Sequence, residues 1–248
     1  MKIQFILNQY IKKEKWRAPA RRETNMKEDI CSIPINEVLE VQDGCPICRM
    51  HDTLENHMLD FIMGAAMMEP DVRTETNRSG FCGAHSLMML GRKNRLGLAL
   101  ILESRLKSVE QEILAKKAAP NKKGMAQKGE TCYVCARVDT ALDALLTTFF
   151  KLWVKEPEFR ENVAKQPIIC LPHYTMLLSK AQAALDKKSF AGFQAVLSDV
   201  MRRGLLPLEE ELSGFCRMFD YHNIGADWGN KKDAPERAVT FLTGYKKS

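Results

Sequence analysis

Six of the eight cysteines and two of the five histidines stand in four short pairs whose residue types suit metal coordination. Cys45-Pro-Ile-Cys48 is answered after 33 residues by Cys82-Gly-Ala-His85, and Cys132-Tyr-Val-Cys135 is answered after 34 by Cys170-Leu-Pro-His173. Three thiolates and one imidazole form a Cys₃His set, a tetrahedral N/S environment that Zn²⁺ accepts because it has no geometric preference of its own. Two intervening residues bring both donors of a pair to the same side of a turn. Reading each copy by itself gives one set from Cys45, Cys48, Cys82 and His85 and a second from Cys132, Cys135, Cys170 and His173. With all four ligands supplied by protein there is no open position for water, so the expected metal is structural, not catalytic.

The pattern is an internal repeat. The two CxxC pairs are offset by 87 residues, and so are Glu69-Pro70-Asp71-Val72-Arg73 and Glu156-Pro157-Glu158-Phe159-Arg160. The CxxH pairs are offset by 88, which places one inserted residue in the segment before Cys170, where a loop tolerates it. Two similar units packed about a pseudo-twofold axis are therefore expected. Leu54, Met58, Phe61, Ile62 and Ala65 recur at helical spacing, as do Val138, Leu142, Leu145, Phe149 and Leu152, so each CxxC opens a helix. Leu87, Leu90, Leu98, Ile101, Val109 and Ile113 outline one long helix after the first CxxH. Beyond the second, helices are expected over 174–187, 190–203 and 207–221, with breaks at Lys187-Lys188-Ser189 and Gly204–Pro207, and a last helix over Pro235–Leu242.

Strand signals are scarce. The expected class is all-α, a helical bundle built from two metal-clipped repeats plus C-terminal helices. Its expected parts are a flexible basic leader over 1–25, a first repeat over 26–114, a Lys-rich linker over 115–130, a second repeat over 131–189, and C-terminal helices and tail over 190–248.

Charge narrows the classes of partner. Net charge is +6, but residues 1–25 hold seven basic side chains against two acidic ones, which leaves +1 for the rest. Nucleic-acid binding is thus not favoured outside the leader. The leader's apolar patch, Ile3–Leu7, is too brief for a secretory h-region. No apolar run approaches the roughly 20 residues of a membrane span, so a soluble protein without a membrane partner is expected. Composition changes at Met26, which stands beside Met1 as a possible start.

Other chemistries fit less well. A CPxC dithiol of thioredoxin type belongs beside a βαβ pattern, which is absent. Disulfides would give the two matched histidines no role. Iron, alone or as an iron–sulfur cluster, is the main rival to two zinc ions, although cluster proteins favour a denser run of cysteines. Arg49 and Arg137 sit where they could offset the net negative charge of a Cys₃His site. Cys31 and Cys216 lack repeat partners and read as buried apolar residues. His51, His57 and His222 lack ligand spacing. The methionines at 58, 63, 67, 68, 88 and 89 read as core. Phe219 to Trp228, with Asp220, Tyr221, His222 and Asp227, reads as a loop that closes the bundle ahead of a pocket-lining reading. No Ser/His/Asp order, phosphate-cradling glycine loop or HExxH supports an enzyme.

From Met26 to about Gly244 the chain resembles a family of uncharacterised bacterial proteins, a domain of unknown function. The likeness rests on the opening KEDICSIPINEVLE, the paired CxxC and CxxH motifs and the ending FDYHNIGADWG. It implies a cytoplasmic bacterial protein with metal sites at the eight residues above, and it carries no activity. The expected function is a zinc-binding, non-enzymatic helical adaptor or regulator. The alternative is a redox or sensing protein whose Cys₃His sites hold iron or exchangeable zinc. Neither the protein partner nor the oligomeric state is legible. If the repeats share one apolar interface, proteolytic nicking between Ala115 and Glu130 should leave two halves that co-elute on gel filtration; separate elution would show independent domains on a tether.

Overall fold

Proline and cysteine set where the helices begin. Residues 32–114, 132–223 and 225–244 are described by the computed structural model of the chain, and they form ten α-helices, short 3₁₀ turns and no strand. The fold is all-α. The first repeat contains α2 (Pro46–Met63), α3 (Pro70–Ser79), α4 (Gly83–Gly91) and α5 (Arg95–Leu114), preceded by α1 (Ile33–Glu40). The second contains α6 (Tyr133–Lys155), α7 (Pro157–Ala164) and α8 (Leu171–Ala184), followed by the C-terminal helices α9 (Lys187–Arg217) and α10 (Ala234–Thr243). The leader, Cys31 and the linker lie outside the described residues.

The repeated Glu-Pro dipeptide acts as a punctuation mark. Glu69 and Glu156 are extended, as a residue before proline must be, and the following proline occupies the first turn of α3 or α7, where its missing N–H costs little. The arginine three residues after each proline turns back to carbonyls left open by the preceding element. Arg160 donates to the carbonyls of Trp153 and Val154, both at 2.7 Å. Arg73 donates to Met67 at 3.4 Å and reaches Leu100 on α5 at 2.8 Å.

Helices α2 and α6 pack against each other and run antiparallel. Ile47 and Met50, near the start of α2, share a core with Leu145, Leu146, Phe149 and Trp153 near the end of α6. Met58, Leu59 and Ile62, near the end of α2, share a second core with Tyr133, Val134 and Val138 at the start of α6. The apolar faces of the two repeats do form their interface, one core at each end. Phe193 from α9 completes the first core, with Trp153, Phe150 and Phe149 edge-on around it at 5.0, 5.6 and 6.2 Å.

Several elements differ from their expected form. The long helix after the first CxxH is two helices. The first ends at Gly91, and Asn94 caps the second: its side chain accepts from Gly97 N at 2.9 Å and donates to the Met63 carbonyl at 2.6 Å. Conversely, the expected break at Gly204–Pro207 does not occur, and α9 runs through both residues. Pro207 is exposed, so its ring meets solvent, while packing holds the helix on either side of it: Val200 before, Leu208 after. Gly204 is needed there, since a Cβ would stand 2.7 Å from Ile168. The Lys187-Lys188-Ser189 segment opens α9 instead of breaking a helix, because Asp186 accepts from the backbone N–H groups of Lys188 and Ser189 at 2.9 and 3.1 Å.

Cys216 is exposed on the last turn of α9, not buried. Met58, Met63 and Met89 are core residues, whereas Met68 faces solvent. Phe219 and Tyr221 are exposed in the connection from α9 to α10. The fully buried Phe193 and the exposed Leu206 provide a test of this architecture. Phe193→Ala should lower unfolding free energy by about 3–5 kcal/mol in urea titrations, and Leu206→Ala by no more than about 0.5 kcal/mol.

Candidate metal centres

The first cysteine of every pair is a helix N-cap, and the second donor stands three positions on, in the first turn. Cys45 caps α2, Cys82 caps α4, Cys132 caps α6 and Cys170 caps α8; none of the four uses its side chain to cap the backbone. N-cap and third-position side chains lie on the same side of a helix start, the geometry a capping box exploits. A CxxC or CxxH pair at this place therefore points two donors at one spot beyond the helix end.

The pairs meet crosswise. Cys45 and Cys48 converge with Cys170 and His173, and Cys132 and Cys135 converge with Cys82 and His85. All eight residues singled out in the sequence are thus drawn into two four-donor sets, but each set takes its CxxC from one repeat and its CxxH from the other. The within-copy grouping is corrected by the helices themselves. At 1.5 Å per residue, the 18 residues of α2 and the 23 of α6 carry the chain roughly 27 and 35 Å from the CxxC that opens them. The antiparallel pairing then delivers each chain to the other repeat's CxxC.

In the first set, His173 Nδ1 lies 3.1 Å from Cys170 Sγ, 3.2 Å from Cys48 Sγ and 3.5 Å from Cys45 Sγ, and the Cys48 and Cys170 sulfurs are 3.6 Å apart. In the second, His85 Nδ1 lies 3.1 Å from Cys82, 3.2 Å from Cys132 and 3.4 Å from Cys135. A tetrahedron with metal–sulfur bonds of about 2.3 Å and metal–nitrogen bonds of about 2.0 Å has edges of roughly 3.5 to 3.8 Å, close to these separations. A disulfide would need sulfurs at about 2.05 Å, and these cysteines are free.

Convergence of donors also governs protonation in the metal-free chain. Hydrogen bonding from the Cys170 and Cys48 thiols holds Cys45 well below the usual thiol range. Interaction with Cys170 and Cys45, together with burial, pushes Cys48 well above it. In the second set, burial raises Cys132, but hydrogen bonding with the other members of the set together outweighs it and brings the thiol to about 7. Burial and the Cys132 charge push Cys135 up to about 12. His173 is raised to about 9, because contacts with Cys170 and Cys45 outweigh its burial. In each set the four donor atoms lie within 4.8 Å of one another, around a space one cation would fill. Two helix N-termini face each set, and their positive ends favour the net negative charge of three thiolates around a divalent ion.

Sequence reasoning missed the surrounding groups. Glu55 accepts from His85 Nε2 at 2.7 Å. The carbonyl of Gly244, which ends α10 in a left-handed conformation (φ 70°), lies 3.7 Å from Cys48 Sγ. No spacing marks either residue. Arg49 does not face the sulfurs: it donates to Asp43, to carbonyls at the end of α1 and to the fully buried Gln166. Arg137 lies over the Tyr133 ring at 5.1 Å. His51 turns to Asp52 at 3.9 Å, His57 is exposed, and His222 pairs with Asp220 at 2.9 Å; none joins a four-donor set. His51, Asp52 and Glu55 also approach one another, but Glu55 is already held by His85.

The model of the family of unknown function DUF6062 matches residues 26–248. The chain belongs to that family. No curated protein and no solved structure matches it. No helix among the described residues of this DUF6062 chain is long and apolar enough to cross a membrane.

Crosswise pairing has a stoichiometric signature. Cys45→Ser combined with Cys170→Ser disables one set and should cost about one metal per chain, whereas Cys45→Ser combined with Cys82→Ser disables both and should cost about two. Equal losses in the two double variants would contradict the pairing. Cys216→Ser should leave metal content unchanged.

Proposed function

We propose that this chain is a zinc-binding, non-enzymatic helical protein, an adaptor or regulator whose two Cys₃His sites lock two repeats into one scaffold. The observation that carries the reading is the spacing of the donor atoms: four per set, all within 4.8 Å of one another and 3.1 to 3.6 Å apart in the pairs that touch, close to the edges of a tetrahedron around one ion. Zinc is favoured because the ligands are three sulfurs and one imidazole nitrogen. A cluster with its own bridging sulfides needs its ligands farther apart.

A closed ligand shell leaves no place for substrate or activated water, which supports a structural role. The outward side of α5 supports an interaction role, since Leu102, Leu106 and Ile113 are exposed there on one face. A cytoplasmic setting fits thiolates kept reduced for metal.

Metal analysis tests the proposal directly. Protein purified without added metal should be colourless and contain close to two zinc ions per chain. Apparent binding energies of roughly 10–16 kcal/mol for structural zinc rival a domain's whole stability, so a strong chelator should lower the melting temperature sharply. Visible absorbance in an anaerobic preparation would replace zinc by iron. A chain that folds fully with no metal would overturn the reading.

A further inference from the structure

We propose that the two sites are unequal, and that Glu55 makes them so by accepting the Nε2 hydrogen of His85 and so fixing Nδ1 toward the metal of the Cys82, His85, Cys132, Cys135 site. This rests on the metal reading above and extends it to how long each site holds its ion.

An imidazole binds metal through one nitrogen, and the tautomer is set by what the other nitrogen donates to. His85 meets both requirements. Its Nδ1 faces three sulfurs at 3.1 to 3.4 Å, and its Nε2 is 2.7 Å from Glu55 Oε1. The pair is enclosed, with 7% of the His85 side chain and 18% of the Glu55 side chain exposed, so water competes little for the bond. Such a carboxylate orients the ring and raises its basicity toward metal.

The repeat supplies its own comparison. Pro46 and Tyr133 open α2 and α6 at positions 87 apart, and the same offset carries Glu55 onto Leu142. Leu142 is buried in the apolar core and can accept nothing. Among the described residues no carboxylate lies within ion-pair distance of His173, and the nearby His51 turns its Nδ1 to Asp52 at 3.9 Å. The site of Cys45, Cys48, Cys170 and His173 thus has the same four donors without the group that fixes its histidine. It is instead bounded by the Gly244 carbonyl at the end of α10. One site is built to retain its ion, and the other to exchange it more readily.

The test uses the zinc-loaded full-length chain and a coloured zinc chelator in excess. Release should occur in two phases of about one equivalent each. Cys45→Ser with Cys170→Ser, which keeps only the Glu55-supported site, should retain the slow phase. Glu55→Leu, which installs the residue its counterpart carries, should speed the slow phase about 10- to 100-fold, and the isosteric Glu55→Gln should speed it less. An NMR readout separates positioning from general destabilisation: the Nε2 hydrogen of His85 should be protected from exchange in the parent and lost in Glu55→Leu. Two zinc ions leaving at one rate, or a slow phase unmoved by both Glu55 variants, would overturn the inference while leaving the metal reading intact. A chain that takes up no zinc would overturn both.

Discussion

Antiparallel packing of α2 on α6 is the constraint from which the rest of the arrangement follows. Each of these helices starts at a CxxC and ends, several turns later, beside the start of the other. The apolar residues along their shared faces, Ile47 and Met50 against Leu145 and Phe149 at one end and Met58 and Ile62 against Val134 and Val138 at the other, fix that opposition. Burying a large apolar side chain contributes roughly 1.5 to 3 kcal/mol, so the interface outweighs the exposed ion pairs scattered over the surface. Once it forms, the short return through α3 or α7 can bring a CxxH only to the CxxC of the other repeat.

The local devices serve the same end. Glu-Pro stops one helix and starts the next, and the arginine that follows closes the carbonyls left behind. Cysteine at the N-cap gives up the usual capping bond and leaves its sulfur free to face outward. Two helix starts draw four donors of this kind together, and their positive ends favour the net negative charge that three thiolates would leave around a divalent ion.

The sequence made some of this plain and hid the rest for identifiable reasons. Cys45, Cys48, Cys82, His85 and their counterparts were legible because the repeat marks them twice, and the all-α class followed from helical spacing around Met58, Ile62, Leu145 and Phe149. Which CxxC meets which CxxH was not legible, because spacing along the chain is silent about helix direction in space. Asn94 was missed as a cap inside an apolar stretch that reads as one helix. Pro207 was over-read as a break, since local propensity does not register the packing of Val200 and Leu208 on either side. Glu55 was invisible for a different reason: it is a place where the two copies diverge, and a search for repetition passes over what is not repeated.

Crosswise pairing of the donors also orders events during synthesis. His85 and Cys132 are 47 positions apart, so their set can close soon after the start of α6 leaves the ribosome. Cys45 and His173 are 128 apart, so theirs must wait for much of the second repeat. At about 5–20 residues per second, the Cys45 and Cys48 thiols spend several seconds on a nascent chain without their partners. During that interval they stand open to oxidation and to stray metal, and the finished protein depends on these two thiols surviving until the start of α8 has been made.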